Sequence, residues 1–168
     1  SRMPVTDQTI FRLASMTKPV TAFAVLCLVD RGLPNLQDPV FQYLPEFKDI
    51  PICSLTNSGE IVVQGRPRNP VTILHLLNHT SGFGCDIGKM EKLTAFDKAS
   101  VDHYIAFHVK TGLAFEPGSQ QMYSPTASFD VLVKIIEQIT GTDFLTFLQR
   151  EIFEPCGMEN TTFIPNEK

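Results

Sequence analysis

The sequence lacks several features that would assign it to a particular class of protein. Its 168 residues include no tryptophan and no internal repeat. An apolar run of about 18 residues, the length that a membrane span requires, is also missing. Hydrophobic residues make up 43% of the chain and charged residues 19%, so the composition is too apolar for a disordered tail. What remains is a folded chain whose length suits one domain.

The sequence also has few cysteines and no cluster of basic residues. Lys and Arg total 14 against 18 Asp and Glu, and they are scattered along the chain. We therefore expect no nucleic-acid partner, because such a partner needs a concentrated basic face. The four cysteines are far apart and form no Cys-x-x-Cys pair, so we expect reduced thiols rather than a zinc site or a disulfide framework: Cys27, Cys53, Cys85 and Cys156.

The spacing of apolar residues predicts a mainly helical chain. Alternation at 8–14 predicts a short strand or an extended entry. The first helix is predicted from Ser15 to Arg31 and is apolar nearly all round, which is typical of a central helix. Pro19 fixes its first turn and Gly32 ends it, so Ser15 is expected at the N-terminal end of a buried helix.

Shorter elements are predicted in the middle of the chain. A helix bounded by prolines is predicted within 36–47, and two brief strands around an Asn-Ser-Gly turn within 50–65. A further helix is predicted from about Thr72 to the turn at 80–82. The pattern at 84–99 is ambiguous.

Three helices are predicted in the C-terminal half. The first spans 100–112, and the second starts with Ser124 as its cap and Pro125 in the first helical position. Thr142 is expected to cap the third helix, which continues to Pro155. The inward face of the second helix is predicted to consist of apolar residues at helical spacing: Phe129, Leu132, Val133, Ile136 and Ile139.

Ser15 and Lys18 form the main chemical signal of the sequence. Residues three apart share a helix face, so the Ser15 hydroxyl and the Lys18 amine can reach hydrogen-bonding distance. A neutral amine can accept the serine proton, and burial beside the positive end of a helix favours the neutral form. The Ser15 amide can also donate to an oxyanion. On its own, however, the same pair is more often a helix cap followed by a solvated lysine.

Four further stretches extend this signal, and together with the stretch that contains Ser15 and Lys18 they resemble the serine β-lactamase and penicillin-binding-protein-like superfamily. The resemblance is to its class C β-lactamase and family VIII carboxylesterase branch, and it covers essentially the whole chain in the order and spacing of the family. The stretches are FRLASMTKPVTAFAVLCLVDRG, LPNLQDPVFQYLPEF, VTILHLLNHTSGF, LAFEPGSQQMYS and LVKIIEQITGTDFLTFLQREIFEPCGMENTTF.

The resemblance implies roles for three residues. Ser15 is the expected acylated nucleophile, Lys18 its base, and Tyr123 the phenol of the second family motif. A phenol near an ammonium can exist partly as phenolate or relay a proton. Whether Lys18 or Tyr123 is the general base is left open.

Two positions depart from the family pattern. The second motif is commonly Tyr-x-Asn, whereas 123–125 reads Tyr-Ser-Pro, and the loss of the amide favours ester substrates over β-lactams. The third motif, Lys-Thr-Gly or a variant, belongs on a strand after the tyrosine. The Lys-Thr-Gly at 110–112 precedes Tyr123 and closes a helix, so we interpret it as a coincidence in which the residues cap that helix.

Other candidate sites are weaker. His75 and His79 lie four apart on one helix face, but no acidic third ligand has a recognisable spacing, so we expect no metal and no cofactor. Ser81 lies in a turn and not in a Gly-x-Ser-x-Gly elbow. The glycosylation sequons at 78–80 and 160–162 are weak patterns.

The expected fold class is mainly α as supplied, the helical region of the α/β β-lactamase/transpeptidase-like fold with most sheet strands missing. Residues 1–168 are expected to form a fragment of one β-lactamase-like domain. A helical subdomain at roughly 33–122 is expected between the Ser-x-x-Lys helix at 15–32 and C-terminal helices at 124–153. We also expect apolar surface that the missing sheet or a second copy of the chain would cover.

The expected function is that of a serine hydrolase, specifically a carboxylesterase that acts on small esters through an acyl-enzyme on Ser15. As a fragment it is expected to be weak or inactive, because the third motif and half of the oxyanion hole are absent. A β-lactamase or D-amino-acid peptidase is the alternative within the same chemistry, and a non-catalytic helical module for binding or assembly is the alternative of another class. The compartment is left open, since the chain is expected to begin within a longer protein.

Overall fold

The computed structural model describes residues 4–7, 9–56, 58, 60–84 and 100–163. Helices dominate this part of the chain, with one small antiparallel sheet, so the mainly α prediction is confirmed. The ambiguous stretch at 84–99 and Cys85 lie almost wholly outside the described residues. The elements are α1 (Thr17–Asp30), β1 (Ile52–Leu55), β2 (Ile61–Gly65), α2 (Ile73–Leu77), α3 (Val101–Thr111), α4 (Ala127–Thr140) and α5 (Phe144–Leu148).

Helix α4 lies at the centre of the core and contacts α1, α2, α3 and α5. Its predicted inward residues Phe129, Leu132 and Ile136 are buried, as expected. Val131 and Ile135 are buried as well, although the sequence did not single them out. Neighbours on several sides widen the buried arc of a helix beyond the single stripe that periodicity predicts.

Helix α1 packs on α4 with one side and exposes apolar side chains on the other. Ala24, Val25 and Leu28 are buried in the core, whereas Phe23 and Leu26 are about half exposed. Exposed apolar side chains also precede the helix, as the expectation of apolar surface requires: Val5, Ile10, Phe11, Leu13 and Met16.

Ser15 precedes α1 and does not open it, which corrects the predicted helix start. Ala14–Met16 form a single 3-10 turn, and Ala14 has a φ of 47°, a left-handed conformation that non-glycine residues rarely adopt. This turn delays the regular helix to Thr17. Of the two alternatives predicted at 8–14, a short strand or an extended entry, the strand is absent from the described residues, because no described strand pairs with that segment.

The predicted helix within 36–47 is instead a pair of 3-10 turns, Val40–Gln42 and Pro45–Phe47. Pro39 and Pro45 lack backbone N–H donors, so a continuous α-helix cannot run through this segment. The helix predicted from Thr72 is also shorter than expected, since α2 covers only five residues.

The two C-terminal helices start later than predicted. Helix α4 begins at Ala127 and not at Ser124, although the Ser124 hydroxyl still accepts the Ser128 N–H at 3.1 Å. Asp143, not Thr142, caps α5, because its carboxylate accepts the Thr146 N–H at 3.0 Å. After α5 the chain continues as a π-helical turn, Gln149–Phe153.

The two predicted strands are confirmed as an antiparallel pair, with Cys53 opposite Val63. The Cys53 N–H donates to the Leu113 carbonyl at 2.7 Å, which joins the hairpin to the second residue after α3. Cys27, Cys53 and Cys156 are free thiols. In the described ranges, no helix combines the length and apolarity of a bilayer span.

Replacing Ile136 with alanine is expected to lower the free energy of unfolding by about 2–5 kcal/mol, because the cavity left by a core side chain does not close completely. Ile136 is fully buried at the centre of α4. Gln138→Ala, on the exposed side of the same helix, is the matched control and should change stability by less than about 0.5 kcal/mol. Urea unfolding followed by circular dichroism measures both. Equal midpoints for the two variants would contradict a core centred on α4.

Candidate active site

Ser15, in the 3-10 turn before α1, and Lys18, in the first turn of α1, have their side chains in contact. The Lys18 Nζ donates to the Ser15 Oγ at 3.3 Å. Ser15 is exposed and Lys18 is partly exposed, so the expected burial of the amine is met only in part. The serine hydroxyl is therefore open to a reagent from solvent while the ammonium lies beside it.

Tyr123 reaches the same serine from a distant part of the chain. Its hydroxyl lies 2.7 Å from the Ser15 Oγ across a separation of 108 residues. The loop between α3 and α4 carries this tyrosine, whose side chain is 52% exposed. All three residues that the sequence singled out thus lie in contact around one hydroxyl.

Lys18 is fixed by a second set of contacts that the sequence did not predict. Its Nζ donates to the Pro125 carbonyl at 2.6 Å, and it lies 5.1 Å from the centroid of the Tyr123 ring and 5.5 Å from that of Phe129. A cation within about 6 Å of an aromatic face is attracted by the ring. The carbonyl acts at the position where the family commonly has asparagine. No sequence signal marks it, because every residue has a carbonyl.

The surroundings of Tyr123 change the pKa of its phenol. The hydrogen bond with Ser15, and then the hydrogen bond and positive charge of Lys18, lower the pKa of Tyr123 below its usual value. Partial burial raises the pKa of Tyr123; its effect is smaller than that of either hydrogen bond but larger than that of the Lys18 charge. Donors and a nearby cation stabilise a phenolate, so Tyr123 ionises at lower pH than an ordinary tyrosine.

His79 is a further residue of the site that sequence reasoning considered only as a metal ligand. It follows α2 with a φ of 60°, and its Nδ1 accepts the Ser124 N–H at 3.3 Å. Its ring centroid lies 4.9 Å from that of Tyr123. Burial, and then the charge of Lys18, lower the pKa of His79, so its ring is neutral at neutral pH.

Buried serines connect this site to the core. The hydroxyls of Ser81 and Ser128 lie 3.1 Å apart, and Ser124 accepts the Ser128 N–H. All three serines are at most 1% exposed. Ser81 is thus a buried turn residue, and the network fixes the turn after α2 against the start of α4.

The remaining candidates play local structural roles. His75 forms a capping box with Thr72, whose N–H donates to the His75 Nδ1 at 3.2 Å. Gly112, with a φ of 71°, ends α3, which agrees with the capping interpretation of the Lys-Thr-Gly letters. Among the residues that the structure describes, no group of three or more His, Cys, Asp or Glu side chains is placed to bind a metal ion.

Comparison with known families identifies the chain. The family model described as Beta-lactamase matches residues 1–168. This chain belongs to the beta-lactamase family. The family membership that the sequence motifs indicated is therefore confirmed, and the helices described above are the helical portion of the β-lactamase/transpeptidase-like fold.

Relatives of this beta-lactamase family chain carry different names. Esterase EstB of Burkholderia gladioli is 34% identical over 177 residues, covering 98% of this chain and 41% of the relative. Penicillin-binding protein 4* of Bacillus subtilis is 32% identical, covering 95% of this chain and 32% of the relative. The solved structure of the octameric penicillin-binding protein homologue from Pyrococcus abyssi has a TM-score of 0.73 at 28% identity, covering 97% of this chain and 35% of that one. The chain therefore spans less than half the length of these relatives.

Titration of the tyrosines should detect the shifted phenol directly. The chain has three tyrosines and no tryptophan, so the ultraviolet absorbance of tyrosinate can be followed without interference. Tyr123 is expected to ionise at lower pH than Tyr43, because burial, and then the hydrogen bond to Asp38, raise the pKa of Tyr43 to about 12. Tyr123→Phe should remove the earlier component, and Lys18→Gln should move it to higher pH. An early component that persists in Tyr123→Phe would contradict this assignment.

Proposed function

We propose that this chain carries the nucleophile and the proton-transfer groups of a serine hydrolase that forms an acyl-enzyme on Ser15. The observation that supports this most is the position of the Ser15 Oγ, 2.7 Å from the Tyr123 oxygen and 3.3 Å from the Lys18 Nζ. A nucleophilic hydroxyl needs a base within about 2.6–3.2 Å. Tyr123 meets that distance.

Tyr123 is the general base in this proposal, and Lys18 is the cation that makes the phenolate available. Lys18 donates to the Pro125 carbonyl at 2.6 Å and to the Ser15 Oγ at 3.3 Å. In both contacts the amine acts as a donor and not as a proton acceptor. Its charge and hydrogen bond also lower the pKa of Tyr123. A phenolate beside an ammonium can accept the serine proton without a second positive charge forming in the site.

The proposed reaction has two steps, acylation of Ser15 by the ester and deacylation by water. The Ser15 Oγ attacks the carbonyl carbon of the ester while its proton passes to the Tyr123 oxygen. The bond from carbon to the alcohol oxygen breaks, and Tyr123 returns the proton to the leaving alcohol. Water attacks the acyl-enzyme in the same way, and the acid leaves as the Ser15 hydroxyl is restored.

The start of α1 is positioned to stabilise the oxyanion that forms during attack. Ser15 lies in the 3-10 turn that leads into this helix of 14 residues, so in this proposal a carbonyl group attacked by Ser15 lies near the positive end of the helix. The Ser15 amide supplies one oxyanion donor in this proposal.

Small carboxylic esters are the substrates that we propose. The relative named as an esterase supports this choice, and so does Pro125, which has no side-chain donor or acceptor where the family commonly has asparagine. An ester carries no side-chain amide that requires such a partner, whereas a β-lactam does. β-Lactams or D-amino-acid peptides are the second candidate, supported by the relative named as a penicillin-binding protein.

Removal of the nucleophile or the base should abolish or strongly depress turnover. Ser15→Ala is expected to eliminate nitrophenyl ester hydrolysis and the mass adduct formed by a serine-directed phosphonate. Tyr123→Phe and Lys18→Ala should lower the acylation rate by about 10²–10⁴-fold, the usual contribution of a positioned acid or base. Ser119→Ala, at an exposed serine of the same loop, is the matched control and should behave like the wild type.

Two outcomes would count against this function. An adduct that persists in Ser15→Ala would place the nucleophile elsewhere. A folded wild-type chain without adduct or turnover, combined with tight association with another polypeptide, would favour the non-catalytic binding module.

Restoring the family amide should shift the balance between substrates. Pro125→Asn keeps the backbone carbonyl that binds Lys18 and adds a side-chain amide, which contributes about 0.5–1.5 kcal/mol if it pairs with a β-lactam. The ratio of β-lactam to ester acylation rates is therefore expected to rise by up to about tenfold. Pro125→Ala controls for the loss of the proline ring. An equal change in both variants would show that the amide has no part in substrate choice.

A further inference from the structure

His79 makes three separate contacts with the segment that carries Tyr123. Its carbonyl accepts the Met122 N–H at 2.9 Å, and its Nδ1 accepts the Ser124 N–H at 3.3 Å. Its ring lies against the Tyr123 ring with the centroids 4.9 Å apart and the planes inclined by 49°. Both residues that flank Tyr123 in sequence are therefore hydrogen-bonded to His79, which also packs on the tyrosine itself.

The backbone of His79 is held in a conformation that favours glycine. Its φ of 60° is one of two positive values at non-glycine residues in the described part of the chain, and the other belongs to Ala14, next to the nucleophile. Such conformations persist where surrounding contacts determine them, and they are concentrated at functional sites. The left-handed turn lets His79 direct its carbonyl and its ring to the same loop.

Tyr123 needs such support because burial does not fix it. Its side chain is 52% exposed, yet its hydroxyl must remain 2.7 Å from the Ser15 Oγ. Phe129, on α4, packs on the His79 ring, with the two ring centroids 5.6 Å apart, and so fixes that ring. The tyrosine is thus positioned by contacts on its inner side while its outer side faces solvent.

We propose that His79 is a positioning residue that keeps the phenol of Tyr123 against Ser15, through its ring, its Nδ1 and its backbone carbonyl. This role rests on the proposed function, because a positioned phenol matters for turnover only if Ser15 is a nucleophile. It requires an unprotonated Nδ1, which places the ring proton on Nε2. The charged group that acts on both rings is Lys18.

Two substitutions separate the contributions of His79. His79→Gly accepts the left-handed backbone but removes the ring and the Nδ1 acceptor. His79→Asn also tolerates that backbone, and its side-chain oxygen can accept the Ser124 N–H, so that only the ring is lost. His75→Asn is the matched control, since His75 caps α2 on the same stretch and its Nδ1 accepts the Thr72 N–H, not the N–H of a residue that flanks Tyr123.

The experiment measures tyrosinate absorbance against pH and ester kinetics on the full chain. His79→Gly is expected to move the Tyr123 component to higher pH and to lower kcat by about 100-fold with little change in KM, as misplacement of a reacting group by about 1 Å does. His79→Asn should lower kcat by only about tenfold, since its side-chain oxygen keeps the hydrogen bond from the Ser124 N–H. His75→Asn should weaken α2 but leave the Tyr123 component in place.

Each failure has a distinct meaning. Wild-type titration and kinetics in both His79 variants would overturn the positioning role, as would an equal displacement of the Tyr123 component in His75→Asn. A wild type that forms no adduct with a serine-directed phosphonate would count against the proposed function alone, because the absorbance titration still reports whether His79 positions the phenol. If His79→Gly does not fold, as judged by circular dichroism, His79→Asn provides the same comparison.

Discussion

The site depends on one convergence, the approach of the Tyr123 oxygen to within 2.7 Å of the Ser15 Oγ across 108 residues of chain. Lys18 reaches Ser15 through local geometry alone, because residues three apart near a helix start share a face. Tyr123 has no such advantage. Its approach requires α1 and α4 to pack side by side, so the chemistry of the site is a consequence of the core.

Rigid and strained parts of the chain are combined at this site. Helix α4 lies in the core, and the buried Ser124 and Ser128 connect its first turn to the segment that carries Tyr123. Ala14 and His79, the two non-glycine residues with positive φ in the described ranges, lie beside the nucleophile and the phenol respectively. A well-packed core can support a few such unfavourable conformations, each of which costs about 1–3 kcal/mol. The backbone strain is therefore located beside the two groups that must be held in position, the Ser15 hydroxyl and the Tyr123 phenol.

The boundaries of the helices show where sequence reasoning reached its limit. Long apolar spacing predicted α1, α3 and α4 correctly as helices, because burying an apolar face is the main source of helical stability in a folded protein. The starts of α1 and α4 were misplaced, at Ser15 and Ser124 respectively. Helix ends depend on a few backbone hydrogen bonds and on tertiary contacts, so a serine before a proline is only one of several possible starts.

The sequence alone determined the family, the helical class and the proximity of Ser15 to Lys18, since motif order and helical spacing are properties of the chain itself. It also named Tyr123 through the resemblance. Only the tertiary structure decided that the Pro125 carbonyl binds Lys18 and that His79 packs behind the phenol. A carbonyl has the same chemistry at every residue, and a ring contact between distant segments leaves no periodic pattern. Both therefore arise only when α1, α4 and the turn after α2 come together in space.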